Sequence, residues 1–506
     1  MEFNVKIDIN ENGMGVIEST HLDVIRDYFS AENEKRKFIK GNKSFIPKRE
    51  YAISENGEFN IGLLADIFNY SKKLIGYHPE DKFQVTSKAK YYYEPSFLLP
   101  ENYELAEFEG FPYRDIQINA LERAFSRGRG IIEVGTAGGK GLVMASICRT
   151  LLNYNPTTTF TILTPTHLVD KTLREFVDEY GFSEGSEISA FSGNHKIQPK
   201  SKIIVVGQHI LSSREEEFEL HLANRSVFMT DECHILKNES KVNERMKAVQ
   251  TNNIIGLTGS LPKNTMDRLN VIGVVGKVIC KIPSRTIKNK GLKADSKVVS
   301  ICIDGCDLIK KTKNGYSINN ELAIDAKDAF LKEKEYLLRN KGRNEFFRNL
   351  IEKACGDGNV LIPVDLNYHE DILKETFKNS GRKIYIINGK TDKDEVPKIY
   401  KQMEHEKNAI LIVKVGVMRE GISINNLSYM VGYFIQKSFI RIVQLIGRIE
   451  RLGGNEIPIF YDIYDSTPFS KKHYKHRIKI YKEEQIEVIE KNVTIDYNQG
   501  QFEDNE

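Results

Sequence analysis

GIIEVGTAGGKG, residues 130–141, runs from an apolar, β-branched stretch into a glycine-rich turn that ends on Lys140, and LVMASICRTLL (142–152) continues it with helical apolar spacing. A strand that enters such a turn and leaves as a helix suits phosphate binding. Glycines let consecutive N–H groups point at phosphate oxygens, the helix N-terminus adds its positive dipole end, and the lysine adds a mobile charge. The nucleotide-binding candidates here are Gly135, Thr136, Ala137, Gly138, Gly139, Lys140 and Gly141. In the usual pattern a Ser or Thr after the lysine offers its hydroxyl to Mg²⁺; Gly141 has none to give. Weaker metal affinity or slower hydrolysis is therefore expected, with a water filling the place and a threonine at 141 tightening the Mg²⁺ dependence.

Around this stretch the chain alternates short apolar runs (GIIEVG, TFTILTP, KIIVVG, SVFMTDE, NIIGLTG) with helix-length segments over about 111–281. The same rhythm restarts over about 341–463 with GNVLIPV, RKIYIING, NAILIVKVG, YMVGYF and EIPIFYDIYD. Alternation of this kind produces parallel βαβ units whose strands are buried on both faces. The fold class expected is α/β, two parallel-sheet domains in tandem, preceded by a small α+β domain. Boundaries are placed at 1–100 for that small domain, 101–283 and 284–466 for the two α/β domains, and 467–506 for a basic then acidic helical tail. Within 284–340 a hairpin at VVSICIDG and a helix at AIDAKDAFLKEKEYLLRN are expected.

SVFMTDECH (226–234) sets Asp231 and Glu232 directly after an apolar strand, at the sheet edge where nucleotide chemistry occurs. Asp231 is the candidate Mg²⁺ ligand, and Glu232 the candidate to orient and deprotonate the water that attacks the γ-phosphoryl group. An isolated acidic pair would ordinarily be a solvated loop end; here it accompanies Lys140.

DECH (231–234) resembles the DExH box of superfamily 2 helicases, and further motifs follow in that family's order. YRDIQ (113–117) is similar to the adenine-reading Q motif, with Tyr113, Arg114 and Gln117 as its candidates. TPTHLVDKT (164–172) resembles motif Ia, GLTGS (256–260) motif III, VLIPV (360–364) motif IV, and VMREGISI (417–424) motif V with Gly421. QLIGRIER (444–451) fits the QxxGRxxR pattern of motif VI throughout. The resemblance implies two RecA-like motor domains using ATP and Mg²⁺. It implies that Gln444, Arg448 and Arg451 act at the γ-phosphate, the arginines stabilising transition-state charge. It further implies that Thr258, Gly259 and Ser260 couple hydrolysis to movement, and that Thr164, Pro165, Thr166, Gly207 and Gln208 grip a nucleic-acid strand. Contacts of that sort go to phosphates and do not read sequence.

KRKFIKGNKSFIPKR (35–49) holds seven Lys or Arg and no acid, with Phe38 and Phe45 interleaved. Lys35, Arg36, Lys37 and Lys40 are candidate phosphate contacts, and the rings could stack on unpaired bases. A solvated hairpin with core phenylalanines reads equally well. HYKH (473–476) lacks the carboxylate or cysteine that a metal site would add and reads as a basic helix face, whose Lys472, Lys475 and Arg477 could extend a polyanion track.

Composition narrows the class without pointing to a substrate. Lys plus Arg number 73 against 70 Asp plus Glu, so any polyanion site is local. Six scattered cysteines, with only Cys302 and Cys306 close together, leave no second pair to complete a zinc site. No window supplies the roughly 18 apolar residues of a membrane helix, and a cytoplasmic location is expected. The expectation is an ATP-dependent DNA helicase or translocase on branched, forked or single-stranded DNA, moving 3′ to 5′ by the resemblance, in recombination, repair and replication. DNA–RNA hybrids and a single-strand-binding protein are its further expected partners. Two rivals stand beside it: an RNA helicase, and an ATP-binding clamp or annealing factor whose hydrolysis is weak because of Gly141.

Overall fold

The computed structural model describes residues 5–37, 45–75, 83–93, 97, 99–135, 138–193, 195–237, 241–246, 249, 251–283, 286–287, 296–306, 308–312, 315–318, 321–322, 326–392, 395–415, 417, 426–433, 457–484 and 486–502. The chain forms two compact units, Met1–Ser284 and Arg285–Glu506.

The first unit opens with a four-stranded sheet in the order Glu58–Phe59, Gly15–Ser19, Val5–Ile9, Phe83–Val85. Val5, Ile7 and Ile9 alternate inward, as the period of a half-buried strand requires. They meet a helix, Leu64–Ile75, which Ile61–Leu63 begins as a 3₁₀ turn. This α+β module does not keep a core of its own: Ile7, Ile67, Val271 and Val275 share one hydrophobic cluster. Gly62 makes the close approach possible, since a Cβ there would lie 2.2 Å from the Ile272 carbonyl oxygen.

Seven parallel strands build the unit's main sheet, in the order Val278–Ile282, Arg129–Val134, Ile254–Thr258, Val227–Thr230, Phe160–Thr164, Ile203–Gly207, Ile188–Phe191. The central strands are buried along their whole length, matching their near-continuous apolar text. The five runs singled out in the sequence are all strands. Ile188–Phe191 and Val278–Ile282, short edge strands with weaker patterns, are additional.

The second unit repeats the architecture with Lys383–Ile387, Ala409–Lys414, Val360–Val364, Tyr429–Gly432, Ile459–Asp465, Lys297–Asp304 and Glu487–Thr494, again all parallel. Two expectations change here. VVSICIDG is not a hairpin but most of one eight-residue strand inside the sheet, buried on both faces rather than alternating. The hairpin comes directly after it, Ile309–Thr312 against Gly315–Ile318. The segment 467–506 is helical only over Pro468–Glu483; Glu487–Thr494 then joins the sheet edge beside Lys297–Asp304. An edge strand that is mostly exposed carries little apolar signal, which is why the sequence hides it.

Buried ion pairs pin this closure. Arg477, 2% exposed, places its guanidinium on Asp462 at 2.8 and 2.9 Å, so it belongs to the core and not to a polyanion track. Arg343 forks onto Asp465 through two 2.8 Å bonds, with the Tyr497 hydroxyl donating to the same carboxylate at 2.5 Å.

Candidate nucleotide and nucleic-acid site

At the C-terminal edge of the first main sheet, the strand Arg129–Val134 runs into the loop, and the helix Lys140–Tyr154 leaves it. Gly139 caps that helix with φ 78°, a left-handed conformation that favours glycine. A Cβ there would also lie 2.1 Å from Gln117 Nε2, which donates to the Gly138 carbonyl at 3.3 Å. Gln117 Oε1 accepts from the Arg114 backbone N–H at 2.9 Å, so the buried Q-motif glutamine braces the loop from behind. Tyr113 sits against the loop helix, its hydroxyl donating to the Ala106 carbonyl and lying 2.8 Å from Ser146 Oγ.

Two strands over from the loop strand, Val227–Thr230 delivers Asp231 and Glu232. Glu232 turns back sharply with φ 50°, rare for a residue with a side chain. Lys140 Nζ donates to its Oε1 at 2.6 Å, and His234 Nδ1 lies 3.1 Å from its Oε2. The same His234 nitrogen is 3.0 Å from Thr258 Oγ1, which donates to the Ser260 carbonyl at 3.1 Å. One line of contacts thus joins Lys140, Glu232, His234, Thr258 and Ser260, and Gly259 borders it, a Cβ there standing in ordinary contact with the Lys140 ammonium at 3.9 Å.

The charges shape one another. Burial, helped by the neighbouring Glu232, pushes the Asp231 carboxyl up to about 6. Burial works in the same upward sense on Glu232, but Lys140 and His234 outweigh it and hold Glu232 well below the usual carboxylate range. Burial alone would lower Lys140; the two carboxylates raise it instead. An ammonium beside hard carboxylate oxygens on a sheet edge, next to a glycine loop with a helix behind it, suits a nucleotide phosphate with Mg²⁺. Asp231 remains the candidate metal ligand.

On the same edge, the strand-contact candidates separate. Thr164 and Gly207 are buried at strand ends, where the Gln208 N–H donates to the Thr164 carbonyl at 2.9 Å, and Pro165 is buried as well. Thr166 is exposed and its Oγ1 lies 2.8 Å from His209 Nδ1. Thr166, Gln208 and His209 therefore form the outward face, and Thr164, Pro165 and Gly207 shape it from below. In the amino-terminal module Lys35, Arg36 and Lys37 lie on the 3₁₀ turn Glu34–Lys37, where the Arg36 guanidinium donates to the Ile46 carbonyl. Phe45 is 89% exposed, so it is no core residue. Thr136, Ala137, Phe38, Lys40, Gly421, Gln444, Arg448 and Arg451 lie outside the described residues.

Sequence reasoning passed over four residues. His234 was within reach as the last letter of DECH, and His209 as the neighbour of Gln208. Glu175 and Tyr180 had no signal, because only the folded chain brings them to Gly141: a Cβ on that glycine would lie 3.2 Å from Glu175 Oε2 and from the Tyr180 hydroxyl. A threonine at 141 would therefore tighten the Mg²⁺ dependence only if both groups give way by a few tenths of an ångström.

Both halves of the chain resemble known proteins. The family described as type III restriction enzyme, res subunit matches residues 109–263, and the helicase conserved C-terminal domain matches residues 343–453. The chain belongs to the superfamily 2 helicases, ATP-dependent motors built from two tandem RecA-like domains. It is of the UvsW type: the ATP-dependent DNA helicase uvsW of Enterobacteria phage T4 is 25% identical over 406 residues, 75% of this chain and 77% of that protein. Among solved structures, T4 UvsW aligns over 97% of this chain and all of its own, with 20% identity and a TM-score of 0.44. S. cerevisiae Dbp5 bound to RNA and ADP BeF3 aligns over 75% of this chain and 89% of its own, at 15% identity and a TM-score of 0.52, a likeness of fold. Among the described residues no helix is long and apolar enough to cross a membrane.

Proposed function

We propose that this helicase is a DNA motor that remodels branched, forked or partly single-stranded DNA, moving 3′ to 5′ and serving recombination, repair and replication in the cytoplasm. The observation that carries the reading is the continuous line from Lys140 through Glu232 and His234 to Thr258 and Ser260, which ties the phosphate loop to the GLTGS segment. Choice of DNA rests on the uvsW relative, whose name gives DNA as its track.

In this reading Lys140 leaves Glu232 for the β- and γ-phosphates when ATP arrives, and the freed Glu232 carboxylate orients and deprotonates the attacking water. Asp231 would hold Mg²⁺, which when bound supplies neutralising charge to the phosphates. Gln444, Arg448 and Arg451 supply the remaining transition-state stabilisation. His234, released from one Glu232 oxygen, changes its bond to Thr258, and Thr258 passes the change to Ser260. Thr166, Gln208 and His209 hold phosphates of the track, and Phe45 stacks on an unpaired base.

Steady-state ATP hydrolysis tests this with no nucleic acid, single-stranded DNA, forked DNA and RNA of matched sequence, alongside Lys140→Ala. Strong stimulation by forked DNA that the variant loses is the expected result. Greater stimulation by RNA would move the assignment to an RNA helicase, and flat, slow hydrolysis with every polymer would replace the motor with a clamp.

A further inference from the structure

A superfamily 2 loop that ends Lys-Gly lacks the hydroxyl the metal ordinarily receives, yet the space in front of Gly141 is filled. Glu175 Oε2 and the Tyr180 hydroxyl each come within 3.2 Å of where a Cβ would stand. Both arrive from one irregular element. The helix Val169–Arg174 widens into a π-helical turn over Glu175–Glu179, closed by the Tyr180 N–H donating to the Glu175 carbonyl at 3.1 Å. Such turns are rare and recur at functional sites because the extra residue redirects side chains. Phe108, Phe111 and Phe176 pack edge-on around the Tyr180 ring, at centroid distances of 5.4, 5.4 and 5.9 Å, and fix its position.

The Glu175 carboxylate is partly balanced by Lys171 at 3.3 Å and keeps roughly a quarter of its side chain exposed, 28%. A carboxylate oxygen is a hard donor of the kind Mg²⁺ selects. Resting on the reading of this loop as the ATP site, we infer that Glu175 gives Mg²⁺ the oxygen that position 141 withholds. Gly141 and Glu175 are then two halves of one exchange: removing the side chain at 141 makes room for a carboxylate from a neighbouring helix. The exchange replaces a neutral ligand with a negative one, so nucleotide binding should depend more steeply on the metal than a hydroxyl ligand would make it.

The test is binding of a fluorescent non-hydrolysable ATP, mant-AMP-PNP, first in EDTA and then titrated with MgCl2, for the full chain and its variants. Glu175→Gln keeps size and shape. It should bind the nucleotide in EDTA at least as tightly as wild type, because a repelling charge is gone, and should raise the Mg²⁺ midpoint by about tenfold, the scale on which supporting groups change metal affinity. Gly141→Thr alone should be impaired by crowding, and Gly141→Thr combined with Glu175→Ala should bring the midpoint back to within about threefold of wild type, a hydroxyl now replacing the carboxylate. An unchanged midpoint in Glu175→Gln overturns the inference, as does a loss of nucleotide binding in EDTA, which would mark Glu175 as a support for the loop. Lys140→Ala separates this from the underlying reading: if it binds mant-AMP-PNP as wild type does, the loop is not the ATP site at all.

Discussion

Replacing Glu232 with glutamine should move binding and turnover in opposite directions. Without nucleotide, the Lys140 ammonium is held by Glu232 at 2.6 Å, with only 20% and 22% of the two side chains exposed, so solvent screens the pair little. A hydrogen bond with a charged partner contributes about 1.5–3 kcal/mol and a neutral one about 0.5–1.5, so Glu232→Gln frees Lys140 by about 1–1.5 kcal/mol. Because ATP must take Lys140 from residue 232, that difference should appear as binding about five- to tenfold tighter. Turnover should fall by about 10²–10⁴, the usual contribution of a positioned general base. Glu232 is held well below the usual carboxylate range, so in wild type the competing pair is intact throughout the working pH range. Equilibrium binding of mant-AMP-PNP and steady-state hydrolysis with saturating forked DNA measure the two effects. Weaker binding in the variant would refute the competition for Lys140, and wild-type turnover would refute the role of Glu232 with the water.

Three further outcomes are expected. Thr258→Val keeps the shape of a fully buried side chain but removes its bonds to His234 and Ser260, so hydrolysis should fall by about tenfold or less, the scale of about 0.5–1.5 kcal/mol, while strand separation is lost; equal losses in both assays would show that the contact does not couple them. Phe45→Ala should weaken single-stranded DNA binding by about 1–3 kcal/mol, the range for one stacked base, and leave hydrolysis without DNA untouched; an unchanged affinity in a filter or anisotropy assay would return Phe45 to ordinary surface. His369 is 3% exposed, and burial, with Arg343 and Lys334 nearby, pulls it down to about 3. With a folded-state value below the unfolded ~6.5, its contribution is whole above that pH and lost as pH falls, by about 3 kcal/mol at pH 4.5. His369→Gln should flatten that acid limb in urea unfolding at pH 7.5 and 4.5, and an identical pH slope would exclude His369 as its source.

The two sheets were legible because parallel strands buried on both faces must be written as unbroken apolar runs, and several of those runs came with a motif at the end. Lys140, Asp231 and Glu232 were legible for the same reason: position after a strand fixes which edge a residue reaches. What escaped notice depends on packing instead. Glu175 and Tyr180 reach Gly141 through one irregular turn that no periodicity announces. Thr164 and Gly207 belong to the right edge but face inward, and Arg477, one positive charge among several on its helix, is committed to Asp462 by burial. The strand Glu487–Thr494 is polar because it has a neighbour on one side only.

That last strand has a consequence for biosynthesis. Lys297 pairs with Glu487 in the finished sheet, partners 190 positions apart (487 − 297). At roughly 5–20 residues per second, a ribosome needs about 10–40 s to supply the second of them after the first. Its other neighbour, Ile459–Asp465, also emerges late, so through most of that interval the apolar strand Lys297–Asp304 is unpaired on both sides, the kind of segment that pairs with the wrong neighbour. The first unit meanwhile has every strand it needs. Synthesis therefore passes through a stage with the first motor domain complete in sequence and the strands of the second still waiting for their partners, the stage at which shielding by chaperones acts.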